Sequence, residues 1–86
     1  MQKIVKALEK TLMFLRQSED SLLAKYSVSE LIETINTQLD KARTFQQVDA
    51  EVLRKLFAPT SSLQEISMAN GWGNEFIEIS RTIDQL

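Results

Sequence analysis

The chain has 86 residues, of which 43% are hydrophobic and 26% charged, with a net charge of −2. That is the size of one domain with ordinary globular usage, which excludes a disordered chain. It holds no cysteine and no histidine, which excludes a disulfide framework and removes the commonest general base and transition-metal ligand together.

Two glycines and one proline are few, and favour helices with short connections over a multi-turn β architecture. A first helix is predicted over residues 2–16. Ile4, Leu8, Leu12 and Leu15 step by four, four and three, with Lys3, Lys6 and Lys10 on the opposite side. The start MQKIVKALEKTLMFL has no uninterrupted apolar segment of the signal-peptide kind. No run approaches the ~20 apolar residues that cross a bilayer. The expected location is cytoplasmic, with no membrane partner. The basic side of this first helix reads as a solvated lysine stripe.

Ser18-Glu19-Asp20-Ser21 breaks the stripe, and Leu22, Leu23 and Tyr26 resume apolar character as a short helical segment. Ser27-Val28-Ser29-Glu30 is a capping-box pattern. It opens a helix to about Arg43, with Leu31, Ile32, Ile35, Leu39 and Ala42 on one face. Residues 44–48 form a connector with Phe45 turned inward. Asp49 caps a short helix carrying Val52, Leu53, Leu56 and Phe57, which Pro59 stops. Ser62-Leu63-Gln64-Glu65 is a second capping-box pattern, leading a helix with Leu63, Ile66 and Ala69. Asn70-Gly71 suits its end, with Gly71 at positive φ and Trp72 packing back on the last turn. A final helix from about Asn74 carries Phe76, Ile79, Ile83 and Leu86.

Residues 1–86 thus read as a single all-α domain, a compact bundle of four to five short helices. Its expected core is Ile4, Leu8, Leu12, Leu15, Leu31, Ile35, Leu39, Leu53, Leu56, Ile66, Phe76, Ile79 and Ile83. The alternative is an α+β fold with a C-terminal hairpin turning at Asn70-Gly71, because Asn-Gly is also a strong two-residue hairpin signal.

Chemistry is poorly represented. Nucleophilic catalysis without Cys or His needs a Ser or Thr with a lysine or carboxylate base, and the serines at 27 and 62 read as helix caps. The pairs Glu30/Glu33 and Glu75/Glu78 read as exposed helix acids, and no loop supplies the six or more oxygens of a Ca²⁺ site. No enzyme activity, metal or cofactor is expected, and a small serine-dependent hydrolase is the last of the alternatives. LQEISMANGWGNEFIEISRTI resembles a helix-turn-helix at Ser67, Gly71, Trp72 and Ile77. Asn70 and Ser80 stand where that motif buries apolar residues. Its second helix carries Glu75, Glu78 and Asp84 against Arg81, which repels phosphate. No nucleic-acid partner is expected. An acidic helix-turn-helix regulator is the alternative function.

The remaining candidate is the lone Trp72 between Gly71 and Gly73, since tryptophan is enriched at binding hot spots. With Phe57, Asn70 and Glu75 it forms the expected partner-binding patch, the indole lying partly at the surface. The competing reading makes Trp72 a core plug. The parts Leu56-Phe57, Ala58-Pro59-Thr60, Ser62-Leu63-Gln64-Glu65-Ile66 and Asn70-Gly71-Trp72-Gly73 resemble the second half of small uncharacterised bacterial all-α proteins. The resemblance covers about a quarter of the chain. Some similar small acidic proteins are immunity partners of bacterial toxins. The resemblance therefore implies a non-enzymatic protein-binding module with a protein partner, and it transfers no site residue. A homo-oligomer is compatible with all of these features.

Overall fold

The core is built by helices whose apolar residues recur at helical spacing. In the computed structural model, which describes residues 2–44 and 46–86, these are α1 (Gln2–Arg16), α2 (Val28–Arg43), α3 (Ala50–Leu56), α4 (Ser62–Ala69) and α5 (Gly73–Ile83). No strand occurs among the described residues. Residues on both sides of Asn70-Gly71 are helical, so the hairpin reading is wrong. The helical period from Phe76 to Ile83 outweighs the local Asn-Gly signal. Phe45 lies outside the described residues.

Helix α1 packs against α2 and α5, and α4 packs against α5. The Cα radius of gyration is 11.7 Å, against about 12 Å expected for a compact chain of this length. The α1 stripe is buried at Ile4, Ala7, Leu8, Leu12 and Leu15, and α2 contributes Leu31, Ile35, Leu39 and Ala42. Every expected core residue is buried except Leu56, which is half-buried against the core. Phe57, Leu63, Val48 and Trp72 complete the interior. Ala69, expected on the apolar face of α4, is exposed.

The buried polar side chains are satisfied within the fold. Thr11 Oγ1 donates to the Ala7 carbonyl at 2.8 Å, and Ser67 Oγ donates to the Gln64 carbonyl at 2.7 Å. Gln38 Oε1 accepts from the Asp49 amide at 2.8 Å. That bond fixes the residue whose carboxylate caps α3 through the Val52 amide. An exposed ion pair, Arg43 with Glu9, joins α2 to α1; such pairs contribute at most about 1 kcal/mol.

The first capping box forms as expected. Ser27 Oγ accepts from the Glu30 amide, and Glu30 Oε1 accepts from the Ser27 amide, both at 3.1 Å. The second box does not form at Ser62. Ser61, not Ser62, is the N-cap of α4 and accepts from the Gln64 amide at 3.2 Å. A turn closed by the Ser61 amide on the Ala58 carbonyl, with Pro59 inside it, delivers Ser61 in extended backbone. Ser62 is left as the first helical residue, and its hydroxyl is used elsewhere.

Candidate functional site

The corner between α4 and α5 is three residues long, Asn70 to Trp72. Gly71 has φ of 82°. The Trp72 amide donates to the Ser67 carbonyl at 2.9 Å and the Gly71 amide to Met68 at 3.4 Å. That pair of bonds is the Schellman arrangement, in which a left-handed residue lets the chain reverse and satisfy the last helical carbonyls. Gly73 simply begins α5.

The corner turns Trp72 inward. Its side chain is 4% exposed and stacks on Phe14 of α1, with ring centroids 5.0 Å apart and planes 8° from parallel. Its Nε1 donates to Ser18 Oγ at 2.9 Å. Phe57 is buried too, in a separate stack with Phe76 at 5.9 Å. The expected patch of Trp72, Phe57, Asn70 and Glu75 is therefore not an open surface. Trp72 and Phe57 serve two aromatic stacks inside the fold. Glu75 is half-buried in the first turn of α5, where the helix dipole favours an acid. Glu30, Glu33 and Glu78 are exposed.

Asn70 has a different part. Its Oδ1 accepts from the Glu19 amide, and its Nδ2 donates to the Glu19 and Ile66 carbonyls, all at 2.9 Å. One side-chain amide thus holds both backbone groups of a residue 51 positions away in sequence. Two further side chains fix the same loop. Asp20 Oδ1 accepts from the Val28 amide at 2.7 Å, and Ser62 Oγ accepts from the Tyr26 amide at 3.1 Å.

Loop 17–27 is consequently not the short helix expected over Leu22–Tyr26. Ser62, together with Ser21, which bonds the Leu23 amide, takes amides that a helix would use. Local side-chain acceptors compete with helical pairing in this way. The outcome is a loop with its backbone tied down and its large apolar side chains outside. Leu22 is 105% exposed, Leu23 80% and Tyr26 46%. Sequence reading assigned these three to a short helical segment. The spacing 22, 23 and 26 suits a helical stripe as well as a loop, so no local signal separated the two.

Beside Tyr26 lies a cleft of about 500 Å³. Leu31, Leu56 and Leu63 line it, with Lys25, Lys55 and Thr60 as polar lining. A shallower groove between α1 and α5 brings Lys3, Lys6 and Lys10 alongside Glu78. Among the described residues, no three Asp or Glu side chains gather to hold a metal ion, and no helix is long and apolar enough to cross a membrane. No family model, curated protein or solved structure matches this chain.

Proposed function

We propose that this chain is a non-enzymatic protein-binding module of the immunity or regulatory kind, acting in the cytoplasm, and that it docks through loop 17–27. The observation that supports this reading is the loop itself. Its backbone is held by Asn70, Asp20 and Ser62, while Leu22, Leu23 and Tyr26 face solvent. Single exposed apolar residues are common on any surface. Three in one short loop, one of which, Tyr26, lines an apolar cleft, support a role as an interaction site. A loop already fixed before binding loses little entropy when it docks. Tyr26 and Lys25, whose Nζ lies 5.5 Å from the Tyr26 ring centroid, add an amphipathic edge to the cleft.

The test compares wild type with Leu22→Asp/Leu23→Asp as bait in extracts of the native cell. Ile77→Asp, which alters an exposed residue on α5, is the control. The reading expects a partner retained by wild type and by the control and lost by the loop variant. A partner held equally by all three would remove the loop from the docking surface.

The α4–α5 pair supports a second reading, since two helices joined by a three-residue turn have the outline of a helix-turn-helix. The exposed Glu78 and Asp84 beside Arg81 weigh against it, because phosphate contacts supply most non-specific DNA affinity. Duplex DNA should fail to bind even at low ionic strength. Tight binding that weakens steeply with salt would favour the regulator instead.

A further inference from the structure

We infer that Asn70-Gly71 is a deamidation site gated by its tether to loop 17–27, and that reaction there unties the loop irreversibly. The chain has three asparagines, Asn36, Asn70 and Asn74, and only Asn70 is followed by glycine. Deamidation begins when the next residue's backbone nitrogen attacks the side-chain carboxamide carbon, and a glycine carries no side chain to hinder that attack. Gly71 is exposed, and a Cβ built on it would meet nothing within 4 Å. Its amide donates to the Met68 carbonyl at 3.4 Å, beyond the usual N–H···O range. The nucleophile is thus open to solvent. Asn36 and Asn74 lie within α2 and α5 and are followed by Thr37 and Glu75.

The electrophile is locked. The Asn70 carboxamide is fastened through Oδ1 to the Glu19 amide and through Nδ2 to the Glu19 and Ile66 carbonyls. The backbone also stands against ring closure. A five-membered ring needs the Gly71 nitrogen to eclipse Asn70 Cβ about the Cα–C bond. A ψ of 11° at Asn70 places that nitrogen beside Asn70's own nitrogen instead. Reaction therefore waits for a local opening in which the tether lets go and the end of α4 unwinds, an event that costs less than global unfolding.

In the opened corner the Gly71 nitrogen gives its proton to hydroxide and bonds to Asn70 Cγ. The Cγ–Nδ2 bond breaks, and Nδ2 leaves as ammonia with a proton taken from water. Water then adds at one of the two ring carbonyls and opens the ring, leaving aspartate or isoaspartate at position 70. Nothing is oxidised or reduced. Neither product restores the tether. Aspartate keeps an acceptor for the Glu19 amide but turns a carboxylate toward the two carbonyls that Nδ2 served, which strands them. Isoaspartate adds a carbon to the main chain and shifts the Gly71 and Trp72 amides from the carbonyls that close the corner. A chain whose corner has opened and reacted is thereby marked, its loop released at Glu19 while Asp20 and Ser62 still hold Val28 and Tyr26.

The test ages the full chain at mildly alkaline pH, folded and in urea, and follows each asparagine by peptide mapping with mass spectrometry. In urea Asn70 should convert first, ahead of Asn36 and Asn74. In the folded chain its conversion should be at least about tenfold slower, since three hydrogen bonds must break before the ring can close. Glu19→Pro removes the amide that donates to Oδ1 without altering Asn70 or Gly71. Ser18→Ala is a milder way to loosen the same junction, through its bond to Trp72. Whichever of these circular dichroism shows to be folded should convert Asn70 severalfold faster than wild type. Converted protein, separated by ion exchange, should exchange the Glu19 amide faster than fresh protein, with amides in the middle of α2 unchanged. Asn36 or Asn74 reacting first in urea overturns the site. Equal rates at Asn70 in the folded and unfolded chains, or folded variants no faster than wild type, overturn the gate. Full protection of Glu19 in converted protein overturns the release of the loop.

Discussion

Two connections in this molecule, the α4–α5 corner and loop 17–27, treat their side chains in opposite ways. The corner uses its backbone to reverse direction and buries its large side chain, Trp72. The loop has its backbone held by side chains from elsewhere and turns Leu22 and Leu23 outward. The two are joined, because Trp72 bonds Ser18 and Asn70 bonds Glu19. A corner rich in special residues is thus the buttress, and the plainer loop beside it is the face shown to solvent. Prominence of a residue in a sequence and its accessibility in a fold are separate properties.

The largest expected effect comes from removing the buttress. Trp72→Ala should cost about 3–5 kcal/mol in denaturant unfolding, as large truncations in a core do. It empties the stack on Phe14 and orphans the Ser18 contact. Trp72→Phe keeps a ring in the stack and loses only the indole donor, so it should cost far less. If Trp72→Ala unfolds at the wild-type midpoint, the indole is not a core element, and an external role for it returns.

Asn70→Ala sharpens the comparison by cutting one connection between corner and loop. It should destabilise by about 2 kcal/mol, since a lost hydrogen bond contributes roughly 1 kcal/mol and a stranded partner adds to it. The more telling readout is hydrogen exchange. The Glu19 amide should lose protection while amides in the middle of α2 keep theirs. Asn70→Asp can still accept from that amide but cannot donate to the Glu19 carbonyl, so it should fall between the two. Unchanged exchange at Glu19 in Asn70→Ala would show that the loop holds its shape without the corner.

Gly71→Ala tests the corner's backbone alone. A Cβ placed there meets nothing within 4 Å, so the cost is that of holding an L-residue at positive φ, about 1 kcal/mol. Equal stability of the two proteins would show that the corner can reverse by another route.

These residues also mark how far the sequence was legible. Helices α1 and α2 could be read to their ends, because a long apolar period and a capping box are local signals that tertiary packing reinforced. The left-handed Gly71 was legible because Asn-Gly is followed by a second helical period, which favours a helix C-cap over the hairpin that Asn-Gly also suits. The cap of α4 was read one residue late, since Ser61 and Ser62 are equivalent as caps until the Pro59 turn chooses between them. Loop 17–27 was misread because its shape is set by Asn70 and Ser62, distant in sequence and invisible to any local pattern. The same distance hid the exposed leucines and directed the expected binding patch to Trp72 and Phe57, which the fold buries.

The smallest expected effect on stability is also the one on which the docking surface depends. Leu22→Ala/Leu23→Ala removes two large apolar side chains, a change that in the core would cost several kcal/mol. Both are largely or fully exposed here, so the transfer and cavity terms behind such losses vanish, and the monomer's stability should stay within about 0.5 kcal/mol of wild type. The comparison with Trp72→Ala is then internal to one protein. Truncation at the corner should remove the fold and leave binding undefined, whereas truncation at the loop should leave the fold and remove binding. Unfolding should be followed at low protein concentration, so that any self-association does not lend apparent stability to wild type. A loss of several kcal/mol in Leu22→Ala/Leu23→Ala under those conditions would mean that the leucines pack inside the monomer in solution. The contrast between corner and loop would then collapse, and with it the surface on which docking was proposed.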